Sequence, residues 1–179
     1  MIRLREVTDK DSAQMLAWRN LPDVAKYMYS DHKISQAEHD AWFAGMMADP
    51  KKVYWVIESD GKDVGTACIY LKGDETHWAF YIADPGERGK GTGAAVEFMV
   101  LREVFENRGL DRLCCEVYAF NEPVIKLHKK VGFQETGIIE NHSQKDGEWL
   151  DVVSLAFDAA DWPAAKARLE PLAKRAGAI

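Results

Sequence analysis

Apolar and charged residues alternate over 2–7, the period of a half-buried strand. Thr8 or Asp9 then caps a helix through Met15, Leu16 and Trp18, which stops near Asn20 because Pro22 follows. A short helical piece is expected over 23–28. Ser35 as N-cap, with Glu38 three residues on, starts another helix carrying His39, Trp42, Phe43, Met46 and Met47 at spacings of three and four. Residues 53–58 and 62–71 read as two strands joined at Ser59-Asp60-Gly61, and the aromatic run 77–84 as a third. A helical pattern over 95–107 ends at Gly109. It is followed by a strand at 112–118, a helix at 121–131 stopped by Gly132, and strands at 134–140 and 148–157 around Lys145-Asp146-Gly147. The alanine-rich end forms a helix over 162–174 that Pro171 weakens. Four strands with no helix among the last three, then alternation, predict an α/β protein. Its mixed sheet has about seven strands and helices on both faces.

Between the third strand of that run and its helix lies Arg-Gly-Lys-Gly-Thr-Gly-Ala: Arg88, Gly89, Lys90, Gly91, Thr92, Gly93 and Ala94. Small residues at a helix start let a ligand approach free amides, which favour an anion, most often phosphate. Arg88 and Lys90 add positive charge there. The loop lacks the Gly-Lys-Ser/Thr ending of a Walker loop and the G-x-G-x-x-G of a dinucleotide site.

Composition narrows the partners. The chain has 179 residues, 47% of them hydrophobic, and a net charge of −6, which fits a single domain and disfavours nucleic acid. We expect one domain over 1–158 with a helical tail at 159–179. The charged, strand-like start is neither a signal nor a transit peptide, and no apolar run reaches membrane-spanning length. Cys68, Cys114 and Cys115 lie within apolar strand patterns without metal spacing, so they read as reduced core residues of a cytoplasmic protein needing no metal.

Two motifs carry a resemblance. The loop spacing R-x-x-G-x-G resembles the acetyl-CoA pyrophosphate loop of the GCN5-related N-acetyltransferases (the GNAT family). Asn121 to Phe133, N-E-P-V-I-K-L-H-K-K-V-G-F, resembles the family's N-x-x-A-x-x-x-Y-x-K-x-G-F, with Val124 for Ala and His128 for Tyr. The resemblance implies the GNAT fold, a mostly antiparallel sheet, and acetyl-CoA as cosubstrate. It implies binding of the cofactor by residues 88–94, by Asn121, and by backbone amides of the strand around Ile82 and Ala83, which carry the pantetheine and polarise the thioester. It also implies direct attack of an amine on the thioester in a ternary complex. Glu116, amid apolar neighbours, is a candidate base whose pKa burial would raise; the alternative is a charge on the wetter sheet face. His128 stands where a tyrosine usually protonates the thiolate, and an imidazolium can do the same. The alternative is a core or solvated histidine.

The first third of the chain bears on the acceptor. Its order WRN…YMYS…IS…H..W is similar to the flagellin-modifying branch that acetylates the 4-amino group of a UDP-linked 4-amino-4,6-dideoxy sugar on the pseudaminic acid pathway. That likeness implies substrate contacts from Arg19 and His39 to the diphosphate, with aromatic faces from Tyr29 and Trp42 for uracil or sugar; Tyr70 and Tyr81 face the same cleft. Trp42 at helical spacing also reads as core. One rival is acetylation of a protein N-terminus, as on a ribosomal protein. A second is an acetyl-CoA-binding sensor without catalysis. The 162–174 helix offers a packing surface for a homodimer.

Overall fold

The computed structural model describes all 179 residues, Met1–Ile179. Seven strands form one sheet in the order β1-β2-β3-β4-β5-β7-β6. They are β1 (Ile2–Glu6), β2 (Lys52–Ser59), β3 (Lys62–Lys72), β4 (Glu75–Ile82), β5 (Arg112–Tyr118), β6 (Gln134–Lys145) and β7 (Glu148–Asp158). The helices are α1 (Ser12–Arg19), α2 (Pro22–Ala25), α3 (Gln36–Ala48), α4 (Thr92–Arg102), α5 (Glu122–Val131) and α6 (Trp162–Arg175). The sheet is mixed and mostly antiparallel, as expected; β4 and β5 are its one parallel pair.

Val56 and Ile57 are neighbours on β2, so their side chains leave opposite faces of the sheet, and both are buried. Val56 joins Val7, Met15, Phe43 and Met46 beneath α1 and α3. Ile57 joins the larger core, where Val96, Val100, Leu113, Phe157, Trp162 and Leu169 bring α4 and α6 against the other face. Fully burying each such side chain contributes about 1.5–3 kcal/mol.

Four elements depart from the sequence reading. The helix after the glycine loop starts at Thr92, not 95, and its last turn, Glu103–Asn107, is a π-turn. The piece expected over 23–28 is only Pro22–Ala25; Pro22 starts it rather than merely stopping α1, its ring suiting a first helical position. Strand β6 continues to Lys145 through two register shifts, and Asn141 takes φ +52. It is an edge strand that lies largely exposed, so no apolar alternation marks its length. Pro171 does not end α6, which runs to Arg175. Pro171 and Ala167 are both exposed, so the carbonyl that loses its partner faces water while Leu169 and Ala173 hold the helix to the core.

The decisive feature is where β4 and β5 meet. Their register consists of His77 opposite Cys114, and beyond it the strands diverge towards Ile82 and Tyr118. Two parallel strands that part at their C-terminal ends leave a crevice, the usual place for a ligand in such sheets.

Candidate active site

The glycine loop borders this crevice. After β4, Asp84 Oδ1 accepts from the Gly86 amide at 2.7 Å and turns the chain through Pro85–Glu87. Gly89 and Gly91 then take φ +77 and +87, a left-handed backbone that a side chain would strain, and Gly91 is the N-cap of α4. The Glu87 carboxylate accepts from Thr92 Oγ1 at 2.8 Å and from Lys90 Nζ at 3.0 Å, fixing loop to helix. Gly89, Gly91, Thr92 and Gly93 line the cleft with exposed Arg88, whose guanidinium meets Asp23 at 3.0 Å. Lys90, held by Glu87, and Ala94 do not line it. The expectation for the β4 backbone needs correcting at one residue. The Ala83 amide donates to Val64 O at 2.7 Å and is taken, so by alternation it is the Ile82 amide that points away from β3, towards the crevice. Gly65 makes that close pairing possible, since a Cβ there would lie 2.1 Å from Tyr81 O.

The cleft has a volume of about 820 Å³, within the usual range for small-molecule sites. Glu116 lies in it, but its pKa is lowered, not raised as expected. Burial does push the carboxyl up. It is outweighed by the ion pair and hydrogen bond from Lys72 and by the Tyr29 hydroxyl, which donates at 3.2 Å. Glu116 is therefore a carboxylate. Tyr29, Tyr70 and Tyr81 all line the cleft, and burial pushes the Tyr70 and Tyr81 phenols up to about 12. Tyr29 also packs its ring on Tyr118 and His142, a contact between the α2–α3 segment and the far sheet edge.

Arg19 is mostly buried in the cleft. Its Nη2 donates to Ser30 Oγ at 2.9 Å, and its Nη1 is buried without a partner. Burial lowers its pKa. Lys145, which the sequence reading missed, comes close enough for Arg19 to depress its pKa further after burial. Its ammonium donates to the carbonyls of Ala25 and Lys26, at 2.7 and 3.2 Å, and sits 5.8 Å from the Tyr118 ring centre. A second groove of about 510 Å³ adjoins, lined by Lys26, Lys33 and Lys145 among others.

Two expected substrate contacts are not brought to the cleft. His39 is 3% exposed, bonded to Ser12 Oγ at 3.1 Å and packed on Trp42 and Phe43. An imidazole bonded to a hydroxyl sits in a core at low cost. Trp42 is half-exposed, but it packs on Tyr54 from outside the cleft. Asn121, by contrast, lines the cleft at the N-cap of α5, and so does His128. His128 is 2% exposed, enclosed by Trp78, Phe80 and Phe133, with its Nδ1 paired to the fully buried Glu97 of α4. Glu75, His77 and Cys114, at the point where β4 meets β5, are the one group with metal-ligating chemistry, their donor atoms within 4.8 Å of one another.

A strand, a left-handed glycine loop and a helix start opening on an unpaired strand edge suit a pantetheine arm and its pyrophosphate. The model of the acetyltransferase (GNAT) domain matches residues 2–134. The chain belongs to the GNAT acetyltransferase family. It is an acyltransferase that uses acetyl-CoA. It is similar to a putative [ribosomal protein bS18]-alanine N-acetyltransferase of Bacillus subtilis, 30% identical over 61% of this chain and 72% of that protein. Another relative of this GNAT chain is Acetyltransferase PseH of Campylobacter jejuni, 25% identical over 74% of this chain and 85% of its own length. A crystal structure of spermidine N-acetyltransferase from Vibrio cholerae, in complex with CoA and spermine, superposes with a TM-score of 0.82. It covers 90% of this chain and 98% of the other; at 17% identity it speaks to the GNAT fold alone. No helix is long and apolar enough to cross a membrane.

Proposed function

We propose that this GNAT enzyme acetylates the amino group of an anionic acceptor, the 4-amino group of a UDP-linked 4-amino-4,6-dideoxy sugar of the pseudaminic acid pathway, in surface-glycan or flagellin modification. The observation that carries this reading is Arg19, a buried guanidinium in the cleft with one nitrogen unpartnered, beside Lys145, on which Asp31 and Asp146 act only from a distance. Two neighbouring cations repel one another, and a phosphate placed between them removes that cost. Tyr29, Tyr70 and Tyr81 offer ring faces for sugar or base, and the likeness to Acetyltransferase PseH supports the same branch. A polyamine would meet Arg19 unfavourably.

Acetyl-CoA supplies the acyl group when bound, its pyrophosphate at the amides of 89–93 with Arg88, its arm along Ile82 and Asn121. Ionised Glu116 attracts the acceptor's ammonium and takes its proton, directly or through water. The freed amine attacks the thioester carbonyl, the C–N bond forms, the C–S bond breaks, and His128 gives the sulfur a proton.

The test is free-thiol release from acetyl-CoA with the UDP-amino-sugar, or with a peptide bearing an N-terminal alanine. Release with the sugar nucleotide, and a Michaelis constant raised at least tenfold by Arg19→Ala for that acceptor but not for acetyl-CoA, is expected. Release with the peptide alone overturns the reading in favour of N-terminal acetylation, which the 30% identity to the alanine acetyltransferase supports.

A further inference from the structure

Glu97 has no part in the chemistry above, and its placement is costly. It is 0% exposed, on the inner face of α4, and neither of its oxygens has a hydrogen-bond partner apart from the His128 contact. It faces His128, which Trp78, Phe80 and Phe133 enclose, and its charge reaches the Cys115 thiol. An unpaired carboxylate in such a setting costs several kcal/mol, so a residue of this kind needs a cationic or N–H partner. The partner it meets is the imidazole that replaces the family's tyrosine.

We infer that Glu97 is a positioning residue: its carboxylate accepts from His128 Nδ1–H and so favours the imidazolium, the form in which Nε2 also carries a proton to give to the departing sulfur. A tyrosine at this position carries its acidic proton on its only heteroatom and needs no orienting partner. A histidine has two nitrogens, and a neutral ring with its single proton on Nδ1 has none on Nε2, so the donor is the doubly protonated ring that a carboxylate at Nδ1 stabilises. With Nδ1 committed to Glu97, Nε2 is the nitrogen left for a ligand, and the ring lines the cleft. The electron count is simple. As the C–S bond breaks, sulfur keeps the pair and takes the Nε2 proton. The imidazole is left neutral, its Nδ1–H still donating to Glu97, and a solvent proton restores Nε2–H. Of the titratable groups packed around this pair, Cys115 on β5 is a thiol whose pKa is pushed well up by burial, and β4 presents only Trp78 and Phe80. Nothing else in the cage competes for the proton.

The inference rests on His128 acting as proton donor, and the experiment separates the two. His128→Ala should lower kcat with acetyl-CoA about a hundredfold, the usual scale of a general acid. An unchanged kcat would remove the donor role itself. Glu97→Gln, checked by circular dichroism for an intact fold, should also lower kcat by about a hundredfold with the Michaelis constant for acetyl-CoA unchanged. In a His128→Tyr background the cost of Glu97→Gln should shrink at least tenfold, because tyrosine needs no orienting group. Equal costs in both backgrounds would make Glu97 a packing residue and overturn the inference while leaving His128 in place. The unsubstituted protein gives a second readout. The ¹⁵N spectrum of His128 should show a protonated Nδ1, and an unprotonated Nδ1 overturns the inference whatever the variants do.

Discussion

Glu116 shows how a single side chain's state is decided by residues far along the chain. Its position amid apolar neighbours suggests a raised pKa, yet Lys72, 44 residues earlier, reaches across from β3 and holds it down. Lys72→Met should therefore raise the Glu116 pKa and move the acidic limb of kcat/KM to higher pH; an unmoved limb would mean that the limb belongs to another group. Glu116, His128 and Asn121 were legible in the sequence because motif and strand pattern set them there. Lys72, Glu97 and Lys145 were not, because nothing local to each says which charge it will face after folding. His39 misled for a related reason: the likeness to a sugar-nucleotide branch put it on the diphosphate, whereas Ser12, 27 residues away, satisfies it within the core. His39→Ala should cost about 1–3 kcal/mol of stability through the lost packing and stranded hydroxyl, and leave the acceptor Michaelis constant unaltered. Calorimetry and steady-state kinetics on one preparation would check both.

At the scale of elements, the capping boxes at Ser35–Glu38 and Thr8–Asp11 show why helix starts were readable: the signal is complete within four residues. Asp11 does more than cap. It pairs with Arg5 on β1 at 2.7 Å and binds the Thr8 amide, and the Arg5 hydrogen bond first, then Thr8, overcome burial to lower its pKa to about 2. A carboxyl with a depressed folded pKa stabilises the fold above its unfolded value near 3.8 and loses that contribution as pH falls towards 2. Arg5 is partly exposed, so the contribution is screened to about 1–2 kcal/mol. Asp11→Asn should lower stability by that amount at pH 7, and the gap between variant and parent should close as denaturation is followed down to pH 2. The glycine loop was equally legible, because left-handed turns demand glycine. Gly91→Ala meets no atom within 4 Å, so its effect is backbone strain alone, about 1 kcal/mol, and Gly91→Glu should abolish acetyl-CoA affinity by placing charge at the pyrophosphate. Isothermal titration with CoA checks the second, and retained affinity would sink the loop assignment. What the pattern did not reveal was the full length of β6, read as 134–140 but running to Lys145, whose exposed edge leaves no apolar period to follow.

Over the whole molecule, strand alternation and motif spacing were enough for the mixed sheet and its two helical layers. The gap between β4 and β5 was not visible in either strand, because it is a property of how they diverge. Acetyl-CoA at a hundred times its dissociation constant should stabilise the protein by about 2.7 kcal/mol, a rise of roughly 5–10 °C in Tm by differential scanning fluorimetry. The divergence at His77 and Cys114 has one more consequence. In hydrogen-exchange terms the apo sheet has a seam: Ile82 should trade its amide proton with deuterated water quickly, while its neighbour Ala83, tied to Val64, trades slowly. A pantetheine arm laid along that seam behaves as a guest strand, so CoA should slow Ile82 and leave Ala83 unchanged. The spent carrier should mend the seam as well as the loaded one does, so CoA and acetyl-CoA should protect the Ile82 amide alike.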